Sequence, residues 1–510
     1  MSLTEKETAP YDDLVEAAGY PPGQGWVKKG YHPRLANEDL APLEKQDWST
    51  YNIFAFWMSD VHSVGGYVTA GSLFALGLNA WQVFVALIVG ILIVQFFCNL
   101  VAKPSQIAGV PYPVISRASF GVLGANIPAI IRGLIAVAWY GVQTFLAATS
   151  LNIVFLKLFP GLAPYADVEQ HGFLGLSYLG YLSFAILWVA QALVFWRGMN
   201  AIRKFIDFCG PAVYVVMIVL CIYMLAEADF DVSLKLSDET LSTGAQISAM
   251  LGAIALVVSY FSGPMLNFGD FARYGKSFDA VKRGNFWGLP VNFLVFSLLV
   301  VLTAAATVPV FGELITDPVH TVEQIDTYFA VLLGGITFVI ATVGINIVAN
   351  FISPAFDFSN VSPQRISWRM GGMIAAVGSI LITPWNWYSN ADAIFWTLGI
   401  LGALIGPLFG ILIADYYIVR KQKVVVDDLF TMEPEGSYWY RGGYNPAAVY
   451  AVLFAGAISI GSVVIPRVFD VLGWLPDYSW FVGCGVGFAG YYVLGGHFKI
   501  APPREEVKIV

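Results

Sequence analysis

A few side chains in this sequence have types and spacings that could do chemistry, and each lies inside an apolar run. Asp60 and His62 sit in Phe56-Trp57-Met58-Ser59-Asp60-Val61-His62-Ser63-Val64-Gly65-Gly66-Tyr67. An ionised carboxylate in such surroundings needs a cation, a helix N-terminus or water. Asp60 is therefore a candidate proton carrier, and His62 is a second one because an imidazole titrates near neutrality. Trp139 and Gln143 are one helical turn apart and share a helix face. An indole wall beside a carboxamide, with one donor and one acceptor side, suits a flat lactam or imide. Asn346 and Asn350 repeat that spacing in a second apolar run, where two carboxamides can line a polar cavity or join helices. Phe261 stands just before Ser262-Gly263-Pro264, where its ring could cover the opposite face of a planar ligand. Cys98, Cys209, Cys221 and Cys484 are scattered, with no CxxC pair and no His/Cys cluster, so neither a zinc site nor a disulfide framework is expected. No nucleophile, phosphate loop or metal motif suggests covalent chemistry. The chemistry on offer is binding and proton handling, with no cofactor.

The elements that position these residues follow from composition. Of 510 residues, 57% are hydrophobic and 12% charged, where a soluble chain carries roughly a quarter charged. The apolar residues form runs of the length that crosses about 30 Å of hydrocarbon. The sequence predicts twelve spans, near 52–77, 79–101, 124–157, 174–196, 200–226, 244–268, 284–309, 327–352, 367–385, 390–419, 447–466 and 479–496. The stretch from Lys103 to Gly121, with Pro104, Gly109, Pro111 and Pro113, reads as a re-entrant or interfacial segment. With a cytoplasmic N-terminus, all Lys and Arg except Lys157, Lys235 and Arg467 fall on the inner side, as the positive-inside rule asks. That division predicts cytoplasmic termini and a plasma membrane, the inner membrane if the cell is bacterial. No basic patch suits a nucleic acid. The expected partners are the bilayer and a small-molecule substrate, in a monomer or loose homo-oligomer.

Spans one and six are both interrupted, by His62 to Gly66 and by Gly263-Pro264. Corresponding breaks in two halves are the pattern of an inverted-repeat transporter with a midplane site. The expected organisation is a cytoplasmic tail (1–48), a first repeat of spans one to five (49–226), a second of spans six to ten (227–420), a loop with two further spans (421–496) and a tail (497–510).

The chain resembles the nucleobase:cation symporter family, first type, which includes carriers of uracil, cytosine, allantoin and hydantoins. The residues that carry the resemblance are Gly109-Val110-Pro111-Tyr112 with Arg117-Ala118-Ser119-Phe120-Gly121, Trp139-Tyr140-Gly141-Val142-Gln143 and Asp270-Phe271-Ala272-Arg273-Tyr274. Asn346-x-x-x-Asn350-x-x-Ser353-Pro354-Ala355 and Ala414-Asp415-Tyr416-Tyr417 complete the set. The resemblance implies an all-α membrane protein built as a five-plus-five inverted repeat, with two extra helices, broken helices one and six, and alternating access. It implies that Trp139 stacks on the substrate, that Gln143 and Asn350 hydrogen-bond it, and that Phe261 stands where a hydantoin carrier has a second Trp. Ser63 would take a variable first-helix position facing the ligand, and Tyr260 would offer its backbone or side chain. Sodium-coupled members add two hydroxyls from the eighth span, where this sequence has Gly344 and Ile345. Ser59, His62 and Ala341 could still offer carbonyls, but that set is too poor for sodium, which favours a proton as coupling ion.

The sequence thus predicts a secondary transporter, not an enzyme, that imports a planar nitrogen heterocycle such as uracil, hydantoin or allantoin by cation symport. The rival readings are a sodium-coupled carrier of an amino acid or vitamin on the same scaffold, and a channel or receptor that does not accumulate its ligand.

Overall fold

The computed structural model describes residues 30–235, 241–325, 327–388 and 390–498. The outer parts of both expected tails lie outside these described residues. The first span is split into α1 (Thr50–Val61) and α2 (Val64–Ser72). There follow α3 (Ala80–Ala108), α4 (Tyr112–Phe120), α5 (Asn126–Leu158), α6 (Tyr178–Trp196), α7 (Met199–Glu227) and α8 (Thr243–Leu266). The second half continues with α9 (Phe278–Phe286), which runs through a π turn into α10 (Asn292–Phe311), then α11 (Pro318–Ile325) and α12 (Tyr328–Ile347). A π turn at Val348–Ile352 leads into α13 (Ser353–Val361), followed by α14 (Trp368–Leu381), α15 (Ala391–Ile413), α16 (Pro446–Phe469) and α17 (Ser479–His497). Among the described residues, nine helices are long and apolar enough to cross a membrane by themselves, while Val64–Leu76 and Trp368–Leu381 are shorter apolar pieces.

Two interruptions fall elsewhere than the sequence suggests. The segment expected to be re-entrant from Lys103 is helical as far as Ala108, with Pro104 inside α3. Gly109, at φ 68°, ends that helix in a left-handed cap, and α4 starts at Tyr112 behind Pro111. In span six, α8 continues through Pro264 to Leu266; Asn267 ends it, and one turn, Gly269–Ala272, follows. Pro264 cannot donate to the carbonyl of Tyr260, so Tyr260 loses its intrahelical donor without the helix stopping there. The same effect shapes the eighth span. Pro354 cannot donate to the Asn350 carbonyl, and the ladder shifts register in the π turn that carries Asn350.

The part of the N-terminal tail that is described, 30–48, is folded against the body as a strap. Tyr31 stacks on Phe430 at 4.4 Å and donates to Asp427 Oδ1 at 2.6 Å. Asn37 Nδ2 donates to Ser359 Oγ at 2.8 Å, and Arg273 donates to the carbonyls of Asp39 and Ala41 at 2.8 and 2.9 Å. Burial of Asp39, reinforced by Glu38, pushes its carboxyl up to about 6.

Candidate substrate and coupling site

The break in the first span organises the site. His62 leaves helical geometry at φ −87°, ψ 57°, and Ser63 is extended at φ −108°, ψ 156°. Ser63 Oγ then accepts the Gly66 N–H at 3.0 Å and caps α2. The last turn of α1, which includes Ser59, ends in carbonyls without intrahelical donors.

Trp139 and Gln143 project from α5 toward this break, both buried. The indole meets two rings edge-on, Tyr260 of α8 at 5.4 Å and Tyr388, just before α15, at 5.8 Å. The Gln143 carboxamide lies over Gly65 so closely that a Cβ there would stand 2.7 Å from Nε2 and 2.8 Å from Oε1. Gln143 Oε1 is buried and has no hydrogen-bond partner among the described residues. The Tyr260 hydroxyl stands between Ser63 Oγ, at 3.4 Å, and the Gln143 carboxamide. Phe261 turns away, against Tyr260 at 5.0 Å and Phe293 at 5.6 Å. The ring that packs edge-on against Trp139 is thus that of Tyr260, not Phe261.

The two asparagines divide their work. Asn346 is fully buried; its Nδ2 reaches the Tyr140 carbonyl at 3.0 Å, Thr144 Oγ1 at 2.9 Å and Gln191 Oε1 at 2.6 Å. Its Oδ1 accepts from Asn350 Nδ2 at 3.0 Å. Both ends of the Asn346 amide are thus engaged with protein, joining α5, α6 and α12 and holding Asn350.

His62 is engaged at both ring nitrogens, with the Tyr67 hydroxyl 2.9 Å from Nδ1 and Asn292 Oδ1 3.2 Å from Nε2. The neutral tautomer that donates from Nε2 and accepts at Nδ1 satisfies both contacts, so the geometry ties α2 and α10 together and does not ask for a mobile proton. Asp60 differs. No hydrogen bond or ion pair reaches its carboxylate among the described residues, and the opposite charge that acts on it is that of Arg132. Ala341 is buried on α12, and an added Cβ at Gly344 would meet the Cys209 Cβ at 3.6 Å and Phe205 at 3.8 Å, ordinary contact distances. Position 344 is therefore roomy enough for a small hydroxyl side chain but has none. Among the described residues no group of three or more His, Cys, Asp or Glu could hold a metal ion.

Above the site a cavity of about 660 Å³ opens, lined among others by Ser72, Thr149, Asn152, Asp317, His320 and Tyr388. Its floor is Tyr388, whose hydroxyl hydrogen-bonds Thr69 of α2. A hydrogen bond to the Glu323 carboxylate and the charge of Asp317 raise the His320 imidazole above its ordinary value. On the opposite side the molecule is shut by the strap and by the motifs named above, which meet one another. The Tyr112 N–H donates to Asp270 Oδ1 at 2.7 Å, Arg117 to Asn360 Oδ1 at 2.6 Å, and Ser119 Oγ to Asp415 Oδ2 at 2.9 Å. Asp415 also holds Arg420 at 2.7 Å and Tyr491 at 2.6 Å. Sequence reasoning singled out neither Thr69 nor Tyr388, and nothing in their local sequence marks them; Arg132 and Asp357 carried the signal of charge inside an apolar run.

A vestibule on one side, a sealed face on the other and an aromatic-carboxamide site at a helix break define a multi-span membrane transporter. The comparisons give the family: the chain belongs to the permeases for cytosine/purines, uracil, thiamine and allantoin, whose family pattern matches residues 41–483. It is a permease, not an enzyme. The chain is 34% identical over 475 residues to the allantoin permease of Bacillus subtilis, covering 92% of this chain and 95% of that one. It is 32% identical over 442 residues to the purine-uracil permease of Arabidopsis thaliana, covering 86% and 72%. Among solved structures, a nucleobase-cation-symport-1 family transporter, closed with bromovinylhydantoin bound, superposes with a TM-score of 0.74 at 23% identity, covering 93% of this chain and 98% of that one. An inward-facing form superposes at 0.72, with 22% identity and coverage of 92% and 96%. The fold is accordingly the twelve-helix, inverted-repeat transporter fold with broken helices one and six.

Proposed function

We propose that this permease imports a planar, amide-bearing nitrogen heterocycle of the allantoin, hydantoin or uracil kind across the plasma membrane by proton symport, with both termini in the cytoplasm. The observation that carries the reading is the unpartnered Oε1 of Gln143, buried beside the indole of Trp139 and the Tyr260 hydroxyl. A buried acceptor without a donor costs about 1–3 kcal/mol, and a ring N–H of the substrate supplies that donor. The neighbouring Nε2 answers a ring carbonyl, Asn350 takes a second amide edge, Trp139 stacks on one face, and Tyr260 and Ser63 bound the other. Names of relatives support the substrate class: allantoin, purine-uracil and hydantoin permeases all align along most of the chain.

Transport proceeds by differential stabilisation. The loaded carrier crosses between outward-open and inward-open forms, and the half-loaded one does so poorly. The coupling ion in this reading is a proton, because Gly344 and Ile345 offer no hydroxyl to sodium and because Asp60 is a buried carboxyl without a bonding partner among the described residues. Uptake of labelled allantoin, hydantoin and uracil into proteoliposomes, with pH and sodium gradients imposed separately, tests the proposal. Accumulation of at least one heterocycle under the pH gradient alone is expected. Accumulation under sodium alone would transfer the coupling to sodium, and uptake of none would remove the substrate class.

A further inference from the structure

On the sealed side of Asp60 lies a second, fully enclosed group of ionisable side chains: Arg132 from α5, Asp270 from the turn after α8, Asp357 from α13 and Tyr112 from α4. All four are at 0% exposure. Asp270 is built as an anion. Its Oδ1 accepts the Tyr112 N–H at 2.7 Å, its Oδ2 accepts from Asn267 at 3.2 Å, and the Arg132 guanidinium lies in its field. Asp357 is built otherwise. Neither of its carboxyl oxygens has a hydrogen-bond partner among the described residues, and the same is true of Arg132 Nη1 and the Tyr112 hydroxyl. Arg132 instead spends Nε and Nη2 on Asn267 Oδ1, at 3.2 and 3.1 Å, and Nη2 also on the Ala349 carbonyl. The other charges that face the group are Asp60 from α1, which shares the field of Arg132, and Arg273, which faces Asp270 and is held by the strap.

Arg132 faces Asp357 as well as Asp270 and can balance only one of them; Asp270, not Asp357, has the donors that hold a carboxylate. A second buried carboxylate with no donor would be an uncompensated charge, which protein interiors avoid by protonation. A bound sodium ion would meet the repulsion of Arg132 and needs volume, whereas a proton needs none. We propose that Asp357 carries a proton whenever the cytoplasmic side is shut, and that it is an inner coupling site which releases the proton as that side opens. The inference rests on the proton-symport reading and deepens it. Asp357 gives its proton to water when the strap lifts, and as that side shuts again its carboxylate takes up the proton that Asp60 has bound at the level of the substrate. At each transfer one O–H bond breaks and one forms, and nothing is oxidised or reduced.

The test uses the full-length protein in detergent, without substrate, at neutral pH. The infrared spectrum of wild type should show the carbonyl band of a carboxylic acid free of hydrogen bonds. Recorded in a D60N background, which silences the other buried carboxyl without a hydrogen-bond partner, the band should vanish in D357N and also in D270N, where the remaining acid ionises against Arg132; the two variants guard against one failing to fold. Absence of the band in wild type, or its survival in both variants, overturns the proposal. Transport is read separately in proteoliposomes. Loss in D357N of pH-driven accumulation, with substrate counterflow retained, supports the site; undiminished pH-driven accumulation overturns it. A wild-type band without uptake of any heterocycle leaves the proton site standing and removes the substrate reading.

Discussion

Substituting Gly65 by Ala tests the site without touching a group that could itself bond the substrate. A Cβ at this position would come within 2.7 Å of Gln143 Nε2, 2.8 Å of Oε1 and 3.0 Å of Cδ. None of these separations is tolerable, and the neighbour that must give way is a side chain, so Gln143 rotates off its place beside Trp139. The ligand then loses the two hydrogen bonds assigned to that carboxamide. At about 0.5–1.5 kcal/mol each, the loss is about 1–3 kcal/mol, or roughly a 5- to 150-fold rise in Kd. The fold itself should not suffer. Gly65 lies in α2 without a positive φ, and Ala is a better helix former than Gly by about 1 kcal/mol. Titration of purified G65A with allantoin or hydantoin, followed by quenching of tryptophan fluorescence, reads the affinity; a thermal melt in the same buffer reads the fold. Unchanged affinity with an unchanged melt would refute the placement of Gln143 in the site. A weakened affinity together with a collapsed melt would refute the claim that the effect is local.

Other expectations follow from the same geometry. Tyr388→Phe, which removes the hydrogen bond to Thr69 and leaves Thr69 only that to the Gly65 carbonyl, should raise both the association and dissociation rates of substrate while changing Kd less, as stopped-flow quenching would report. Gly344→Ser with Ile345→Thr should confer sodium stimulation of uptake, because a Cβ at 344 finds only contacts of 3.6 and 3.8 Å; uptake that stays indifferent to sodium would show that hydroxyls are not what the site lacks. Asp60→Asn should separate uptake from the pH gradient while leaving exchange. The Asp39 carboxyl, pushed up to about 6 in the folded strap from an ordinary value of about 3.9, favours the folded form when protonated. That stabilisation is full below about 4 and is lost as pH rises through 6. Hydrogen-exchange protection of residues 30–48 should fall across that window in wild type and stay level in D39N. Asp415→Ala leaves Arg420 buried without its partner, which costs about 3–5 kcal/mol, and should show as a large drop in Tm.

The twelve spans were legible because each is an apolar run of membrane length, and the helices found match them to within a few residues at most ends. The breaks were legible only as regions. The first turns at His62–Ser63, at the start of the interval from His62 to Gly66, since Ser63 can cap α2. In span six Pro264 marks a lost hydrogen bond but not a helix end, which waits for Asn267. Trp139 and Gln143 stood out because an indole and a carboxamide shared one face of an apolar helix. The partner across the site did not: Tyr260 and Phe261 are neighbours in sequence, and only the rotation of α8 decides which ring meets Trp139. Asn346 and Asn350 looked alike, and the difference between them lies in Thr144 and Gln191, on helices whose proximity no local pattern reveals. The motif fragments Gly109 to Tyr112, Asp270 to Tyr274, Ser353 and Asp415 could be read as family marks, but their work is to join each other at the sealed face.

The central claim is that Trp139 and Gln143 hold a planar amide heterocycle whose accumulation a proton gradient drives. Its most direct measurement is uptake of labelled allantoin, hydantoin and uracil by proteoliposomes of wild type and Q143A under an inwardly directed pH gradient without sodium. The account predicts accumulation above the equilibrium level for at least one of them in wild type, abolished by collapsing the gradient and absent in Q143A. Accumulation that persists in Q143A, or that requires sodium and ignores pH, would contradict it.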